Sequence, residues 1–548
     1  MHRATSVADA MPSPLAAGAA AVLAALVLAA AVLHRGRRSE AAVSKGGRLP
    51  LPPAPRGLPL LGNLHQMLAN RPVHRWLHRL LAGAGGGVVR VRLGPVHVVA
   101  VSCPEAAREV LRGRNDAVFA DRPATFAAES LSLGYRSASI APFGDQWRKM
   151  RRVLTAEVLA PATERRLRSA REAEADHLVR YVRALCGRDG RGAVDVRHVA
   201  RHFCGNVIRR LTLGRRHFGE APAGSGPGRD EAEHVDALFA ALSYLDAFCV
   251  SDYFPALVGL DLDGHERVVR GVMRTLGRLH DPVVEERVEE WRRLRKAGER
   301  REPADFLDVL ASLDDAAGRP LLTVEEIKAQ TIDIMIATVD NPSNAAEWAL
   351  AEMVNRPEAM ARVVAELDAA VGRGRLAAEA DARGLDYHRA CIREAFRLHP
   401  YHPFNPPRVA MADAAVAGFA VPRGSHVLLS RVALGRNPAV WEDPLEFRPE
   451  RHLPAGAGAG PGGVSLAEPE LRFISFSTGR RGYPGLSLGT LITVTLLARL
   501  LQGFHWERAA GRGPAGAPGG AGEPRAGRPA RLAGDAAAAG APVRRGQV

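Results

Sequence analysis

Hydrophobic residues recur with helical spacing through most of residues 100 to 400, with arginine-rich polar faces such as "VVEERVEEWRRLRKAGERRE". The strongest pattern predicts a helix at Val324–Asn355. It begins after Thr323, which together with Glu326 has the spacing of a capping box, and it ends before Pro357. At about 1.5 Å per residue, this helix would extend roughly 48 Å and could cross a whole domain.

Alternating patterns typical of strands occur in few places. The segment "VVRVRLGPVHVVAVS" alternates around Gly94 and Pro95 and predicts a hairpin, and the region around "VAGFAVPRGSHVLLS" predicts another. The sequence therefore predicts a mainly α-helical protein with a small β-sheet subdomain to one side.

An apolar segment near the N-terminus predicts a transmembrane anchor. Residues 15–33 are 19 positions filled only by Ala, Leu, Val and Gly, close to the roughly 20 that a membrane-spanning helix needs. A cleaved signal peptide with Ala29 and Ala31 near the cleavage site is the alternative, although its apolar part is usually about 7–15 residues long. Basic residues at 34–38 follow the span, so the large C-terminal part is expected in the cytosol and residues 1–14 across the membrane.

Two segments of unusual composition flank the predicted folded domain at residues 66–506. Residues 34–65 are basic and then proline-rich, and the five prolines of "LPLPPAPRGLPLLGNL" predict a stiff extended hinge that is not helical. Residues 507–548 are a mixture of Gly, Ala, Pro and Arg without aromatic residues, which predicts a disordered, low-complexity tail.

Charge and cysteine content narrow the function classes. Lys and Arg number 74 against 59 Asp and Glu, a net charge of +15 that would suit an anionic membrane, nucleic acid or an acidic partner. No basic block with interleaved aromatic residues dominates, so no nucleic acid is expected as a partner. The five cysteines are scattered without close pairs or zinc-type spacing, as expected in a reducing compartment.

Two helical segments in the C-terminal half of the chain contain candidate functional residues. Asp340, Asn341 and Pro342 interrupt the long helix and predict a kink, which taken alone could be an incidental feature of a buried helix. Glu394 and Arg397 lie three residues apart in "CIREAFRLHP". Such pairs are common on exposed helices, but with Arg451 of "FRPERHL" a buried triad would be a strong ionic staple.

The helix "FGDQWRKMRRVLT" places Trp147 and Arg151 on one face and Lys149 among the cations of the others. This helix could be a solvated basic surface, or it could bind an anion on one face and an acidic partner on another. Further on, "FSTGRRGYPG" has three closely spaced glycines that allow a tight turn before a helix. A phosphate-binding loop would need a preceding strand or a Gly-Lys-Ser sequence, and neither is present.

Taken in this order, these segments resemble the cytochrome P-450 haem monooxygenases over roughly residues 50 to 506. The anchor and proline hinge are similar to those of plant members in the endoplasmic reticulum membrane. Within that superfamily, "MIATVDNPSNAAEWALAEMVNRPE", "CIREAFRLHPYHPFNPPRVAMAD" and "FSTGRRG" resemble the plant amino-acid N-monooxygenases, which form aldoximes. Most superfamily members have Thr after the acid of the long helix, whereas here Asn341 and Pro342 follow Asp340.

The resemblance implies an L-amino acid as substrate, hydroxylated twice on nitrogen and then losing carbon dioxide and water. It implies haem (iron protoporphyrin IX) and O2, with electrons from NADPH through a membrane-bound NADPH-cytochrome reductase. The product would be a precursor in plant secondary metabolism, such as that of cyanogenic glucosides or glucosinolates. Localisation would be single-pass in the endoplasmic reticulum membrane, with the catalytic domain in the cytosol.

The resemblance also assigns roles to residues of this chain. Asp340 and Asn341 would lie above the haem and manage oxygen and protons, and the cations around Lys149 would face the reductase. The structural triad would be Glu394, Arg397 and Arg451. The haem-binding residues implied are Trp147, Arg151, Arg408, Phe476, Gly479, Arg481 and Gly485.

Tyr483 departs from the family pattern, because it stands where a cysteine thiolate normally binds the haem iron. No cysteine occurs after Cys391 that could replace it. Tyrosine binds haem iron in catalases as a phenolate, but a phenol with a pKa of about 10 needs a cation such as Arg481 to ionise at neutral pH. A catalytically inactive haem- or ligand-binding relative, and a hydroxylase of another small apolar substrate, remain alternatives.

Overall fold

The computed structural model describes residues 49–187, 192–454 and 463–508, and the backbone of a strand at 531–536. The predicted anchor at residues 15–33 lies outside the described residues. So does most of the predicted low-complexity tail.

Helices dominate the described part of the chain, as the sequence predicts. In chain order the α-helices are α1 Leu64–Ala69, α2 Val73–Gly83, α3 Pro104–Leu111, α4 Gly113–Val118, α5 Phe126–Leu131, α6 Asp145–Val153, α7 Pro161–Arg166, α8 Arg168–Leu185, α9 Val196–Leu213, α10 Arg229–Leu245, α11 His265–Ala297, α12 Phe306–Ser312, α13 Val324–Asn355, α14 Pro357–Val371, α15 Asp386–Leu398, α16 Arg431–Gly435 and α17 Leu486–Gly503. A π-helical turn, Leu154–Val158, extends α6.

The strands form small sheets beside the helices. They are β1 Val88–Leu93, β2 Val96–Val101, β3 Ala193–Asp195, β4 Arg408–Val409, β5 Ala414–Val416, β6 Phe419–Val421, β7 His426–Leu429, β8 Phe504–Arg508 and β9 Arg531–Ala536. One sheet has the order β1-β2-β7-β4, another the order β3-β9-β8, and β5 and β6 form a separate hairpin. Both predicted hairpin regions therefore contain a hairpin: β1–β2 in the first and β5–β6 in the second. The last strand of the second region, β7, does not pair with β6 and pairs in parallel with β2.

The long helix α13 lies in the middle of the main hydrophobic core and begins and ends where the sequence predicts. The Thr323 hydroxyl accepts a hydrogen bond from the Glu326 N–H, and the Glu326 carboxylate accepts one from the Thr323 N–H, which completes the capping box. Helices α9, α15 and α17 pack around it. Because α13 is surrounded by other helices, most of its side chains are buried along its whole length.

The described part of the proline-rich hinge contains no helix before α1 begins at Leu64, and it packs on the domain. The Arg90 N–H of β1 donates to the Pro53 carbonyl at 2.8 Å, and the Ala420 N–H of β6 donates to the Pro50 carbonyl at 2.8 Å. After Gly57 the chain turns and forms a bridge between Leu58 and Gly62. The part of the hinge that the structure describes is therefore attached to the two sheets.

The low-complexity tail differs from its predicted disorder at one place. Strand β9, Arg531–Ala536, lies between β3 and β8 and pairs antiparallel with both. Strand β8 also extends the folded domain from the predicted end at residue 506 to Arg508. Backbone hydrogen bonds to the edges of β3 and β8 stabilise β9. The composition of residues 507–548 alone could not predict this strand, because its partners lie elsewhere in the chain.

One described helix is apolar and long enough to span a membrane. This is α17, Leu486–Gly503, and 67% of its apolar window is buried inside the protein. Its hydrophobicity is accounted for by packing against α13 and α8 in the core.

Candidate active site

A cavity of about 190 Å³ lies beside the middle of α13. Several parts of the fold converge on it, among them α13, the loop before α17, helix α6, the end of α10, the start of α16 and the segments 122–128, 138–140 and 402–407. Its lining is mostly apolar with a few charged groups, which is usual for a small-molecule site. Of the predicted site residues, the cavity wall includes Arg151, Asp340, Asn341, Phe476, Arg481 and Tyr483.

Helix α13 presents Asp340 and Asn341 to this cavity. Asp340 is 2% exposed, and burial raises the pKa of its carboxyl to about 7, although the charge of Arg431 acts in the opposite direction. The neighbouring hydroxyls are engaged within the helix, because Thr338 donates to the Ile334 carbonyl at 2.8 Å and Ser343 donates to the Val339 carbonyl at 2.7 Å. The polar groups that this stretch offers to the cavity are therefore a carboxyl and an amide.

The loop before α17 is a tight turn that needs its glycines. Gly479 has φ +76°, and a Cβ on it would lie 2.5 Å from the Leu111 carbonyl oxygen. The Gly482 N–H donates to the Gly479 carbonyl at 2.8 Å, and the Tyr483 N–H donates to the Phe476 carbonyl at 2.9 Å. A Cβ at Gly485 would come within 2.8 Å of the Tyr483 ring. The turn directs Tyr483 into the cavity.

A cluster of cations and one indole lies around this loop. Arg481 donates to the Ala120 and Ala141 carbonyls, both at 2.7 Å, and its guanidinium lies 4.8 Å from the centre of the Trp147 ring. Arg151 donates to the Gly482 carbonyl at 2.7 Å. Burial, together with neighbouring cations such as Arg122, lowers the pKa of Arg481 to about 8.

The cluster fits the carboxylate side of a haem. Trp147 Nε1 and Arg408 Nε are buried and have no hydrogen-bond partner among the described residues. Burial and the charge of Arg122 also lower the pKa of Arg408, to about 9. Buried donors and crowded cations are both stabilised by an added anion, and a haem supplies two propionates.

The opposite side of the site does not fit a cysteine-ligated haem. The Tyr483 hydroxyl donates to the Ala337 carbonyl of α13 at 2.9 Å, so the phenol reaches from the loop to the opposite wall of the cavity. Burial, and then the carboxyls of Asp340 and Asp333, raise the pKa of Tyr483. The Arg481 guanidinium binds two backbone carbonyls, so the cation proposed to help ionise Tyr483 is not what controls its pKa.

No cysteine can take the place of Tyr483. All five cysteines lie in the described part of the chain, and none of them lines the cavity. Cys391 is buried in α15, where burial raises the pKa of its thiol. The site as it stands therefore has the anion-binding groups for a haem but lacks a thiolate for its iron.

The predicted ionic staple residues are adjacent and buried. The Arg397 guanidinium donates to both carboxylate oxygens of Glu394, at 2.7 and 2.8 Å, and Arg451 Nε donates to Glu394 at 3.0 Å. His452, which the sequence reasoning missed although it follows Arg451 directly, lies 2.7 Å from Glu394. Burial alone would raise the pKa of Glu394, but the hydrogen bonds from Arg397 and His452 outweigh it and lower the pKa to about 2.

Lys149, around which the cations expected to face a reductase lie, forms an ion pair with another helix. Its ammonium group lies 2.8 Å from both carboxylate oxygens of Glu326, at the start of α13. Arg148 on the same helix is more exposed and pairs with Asp145. The sequence pattern predicts which cations share a face of α6. It does not predict that Lys149 pairs with Glu326, because this carboxylate is 177 residues away in the sequence.

Comparison with known proteins places these features in a family. The cytochrome P-450 family profile matches residues 52–517. A tyrosine N-monooxygenase of Sorghum bicolor is 57% identical over 467 residues, which cover 85% of this chain and 82% of the relative. A tryptophan N-monooxygenase of Prunus mume is 50% identical, covering 84% of this chain and 85% of the relative. Valine N-monooxygenase 1 of Manihot esculenta is 47% identical, with 85% and 84% covered.

Among solved structures, a zebra fish cytochrome P-450 determined with progesterone superposes with a TM-score of 0.66. It covers 85% of this chain and 99% of that chain at 23% sequence identity. At that level of identity the similarity concerns the fold alone.

Proposed function

Because the chain belongs to the cytochrome P-450 family, we propose that it is an amino-acid N-monooxygenase by descent, which converts an L-amino acid to its aldoxime. The observation that carries this proposal is the identity of 57% with a tyrosine N-monooxygenase over 85% of the chain. Asp340 and Asn341 on the cavity wall are a second support, because with the following Pro342 they form the sequence feature in which this chain resembles the aldoxime-forming group. Which amino acid the chain accepts is a separate question, because the relatives named above act on three different ones.

Haem would be held chiefly through its propionates. Trp147, Arg151, Arg408 and Arg481 would bind them by charge-assisted hydrogen bonds, which supports the role that the resemblance implies. A thiolate ligand gives the haem of this family its capacity to activate oxygen. Since Tyr483 replaces that ligand and burial raises the pKa of its phenol, we propose that the chain itself has little N-hydroxylation activity.

The supporting machinery is proposed on the same basis. The apolar segment at residues 15–33 would anchor the chain in the endoplasmic reticulum membrane with the catalytic domain in the cytosol. Electrons would come from NADPH through a reductase that docks on the exposed cations of α6, among them Arg148 and Arg152.

A second candidate function, a non-catalytic ligand-binding relative, is favoured by the hydrogen bond between Tyr483 and the Ala337 carbonyl. This contact fills part of the cavity between the loop and α13. In this alternative the cavity binds the amino acid, and no oxidation follows.

The test compares the full chain with a Tyr483→Cys variant. The red-shifted thiolate band in the reduced carbon monoxide difference spectrum is expected only in the variant. With reductase, NADPH and a panel of aromatic and aliphatic L-amino acids, the variant should form an aldoxime that mass spectrometry detects. A thiolate band in the parent would refute the account of Tyr483, and oxidation of other small molecules without any aldoxime would refute the proposed reaction.

A further inference from the structure

The cavity contains two charged groups that neither the haem cluster nor the staple uses. Arg431 is the first residue of α16, and Asp246 is the residue that follows the end of α10. Both side chains line the cavity together with Asp340, Asn341 and Tyr483. They come from parts of the chain 185 positions apart, so they meet only in the folded protein.

Neither group is satisfied by a direct partner of opposite charge. Arg431 Nε is buried with no hydrogen-bond partner among the described residues, and its Nη2 makes one long hydrogen bond, 3.3 Å, to the Asn405 side chain. Within the described part of the chain, the Asp246 carboxylate receives no hydrogen bond and forms no close ion pair. Buried charged groups without partners are costly, which favours a ligand that supplies both missing charges.

Arg122 on the same cavity wall differs from Arg431. Its Nη1 already donates to the Pro406 and Pro407 carbonyls at 2.6 and 2.7 Å. Compared with Arg122, Arg431 therefore keeps more of its donors unpaired within the described part of the chain. The charges are coupled, since burial raises the pKa of Asp246 to about 6 while Arg122 and Arg431 act to lower it.

A second cavity of about 260 Å³ adjoins the first at Asp246, His402 and Asn405, which line both. Aromatic and aliphatic side chains form much of its wall: Phe248, Tyr253, Phe404, Val98 and Leu428. An apolar cavity of roughly 150 Å³ is enough to hold a benzene ring. Rings packed at the edge or offset would contact an aromatic ligand favourably.

We propose that Arg431 binds the α-carboxylate and Asp246 the α-ammonium group of a free aromatic L-amino acid, whose ring occupies the adjoining cavity. This inference rests on the proposed function and adds to it the substrate class and the residues that recognise the substrate. It places the amino nitrogen in the same cavity as Asp340 and Tyr483. Small aliphatic amino acids would bind through the same two charges but leave the second cavity unfilled.

Binding of three related ligands by the full chain tests the two contacts separately. Isothermal titration calorimetry would use L-phenylalanine, phenethylamine, which lacks the carboxylate, and 3-phenylpropionate, which lacks the ammonium group. Arg431→Gln should weaken L-phenylalanine and 3-phenylpropionate by about 10- to 100-fold and leave phenethylamine unchanged, since a hydrogen bond to a charged group is lost. Asp246→Asn should weaken L-phenylalanine and phenethylamine and leave 3-phenylpropionate unchanged.

Matched controls and folding checks accompany these variants. Arg373→Gln and Asp230→Asn remove the same charges from exposed ion pairs and should leave all three affinities unchanged. Arg431→Lys keeps the charge without the planar guanidinium and should fall between the parent and Arg431→Gln. Circular dichroism and the melting temperature identify any variant that has lost its fold. If Arg431→Gln does not fold, its ligand affinities are replaced by those of Arg431→Lys, and if Asp246→Asn does not fold, by those of Asp246→Glu.

The outcomes separate this inference from the proposed function. If Arg431→Gln and Asp246→Asn change the affinities of all three ligands equally, or change none of them, the assignment of the two charged contacts is overturned. This holds even if Tyr483→Cys forms an aldoxime. The predicted ligand pattern without any aldoxime from Tyr483→Cys would support the binding site and refute the reaction. L-Valine binding as tightly as L-phenylalanine would overturn the assignment of the second cavity to an aromatic ring.

Discussion

Replacing Glu394 by Gln removes one negative charge from the buried staple and keeps the shape of the side chain. Glu394 is fully buried, and its carboxylate accepts hydrogen bonds from the Arg397, Arg451 and His452 side chains and from the Arg448 N–H. These contacts hold its pKa at about 2 against an ordinary value of 4.5. At about 1.4 kcal/mol per pKa unit, the charged form contributes on the order of 3 kcal/mol to the free energy of unfolding at pH 7.

The sign of the pH dependence follows from the lowered pKa in the folded state. The contribution is complete above the unfolded pKa of about 4.5 and is lost as the pH falls toward 2. At pH 3.5 the unfolded chain already binds protons at this group while the folded chain does not, so the difference between parent and variant should narrow by about 1 kcal/mol.

Thermal unfolding of the full chain and of Glu394→Gln, followed by circular dichroism at pH 7 and pH 3.5, measures both effects. For a domain of roughly 440 residues, a loss of about 3 kcal/mol corresponds to a melting temperature lower by about 3 °C. Glu289→Gln, at an exposed position of α11, is the control and should shift the melting temperature by less than about 1 °C. Equal melting temperatures of parent and Glu394→Gln at pH 7 would refute the reasoning.

Two further substitutions test the site. Asp340→Asn should stabilise the protein at pH 8 by on the order of 4 kcal/mol and have little effect at pH 4. The pKa of this buried carboxyl is raised to about 7, so its ionisation costs stability as the pH rises from about 4 through 7. A melting temperature that is unchanged at pH 8 would contradict this. Gly479→Ala should destabilise the protein by about 2 kcal/mol or more, since φ is +76° and the added Cβ would lie 2.5 Å from the Leu111 carbonyl oxygen. Proteolysis of the loop should then be faster than in the parent. The control is Gly318→Ala, also at positive φ but with open space around it, which should show the smaller effect of backbone strain alone.

The sequence predicted well those helices and turns whose ends are marked by nearby capping, proline or glycine residues. Helix α13 has its capping box at Thr323 and Glu326 and a proline at 357, so both ends are encoded within a few residues of where they occur. The β1–β2 hairpin has the same property, because Gly94 at φ +57° allows the turn between two alternating segments. The segments around Trp147, Asp340, Glu394 and Tyr483 also pointed to the family to which the chain belongs.

Contacts between distant segments were decided by the tertiary structure. Strand β9 forms in a sequence of Gly, Ala, Pro and Arg because β3 and β8 offer it two edges, and one of these lies more than 300 residues earlier. Lys149 pairs with Glu326 because two helices that are distant in the sequence pack together. Arg431 and Asp246 line the same cavity because α16 and the end of α10 converge there. Local propensity acts over a few residues and determines helices, turns and caps. Which charges become partners, and which remain unpaired in a cavity, depends on packing, and packing is a property of the whole chain.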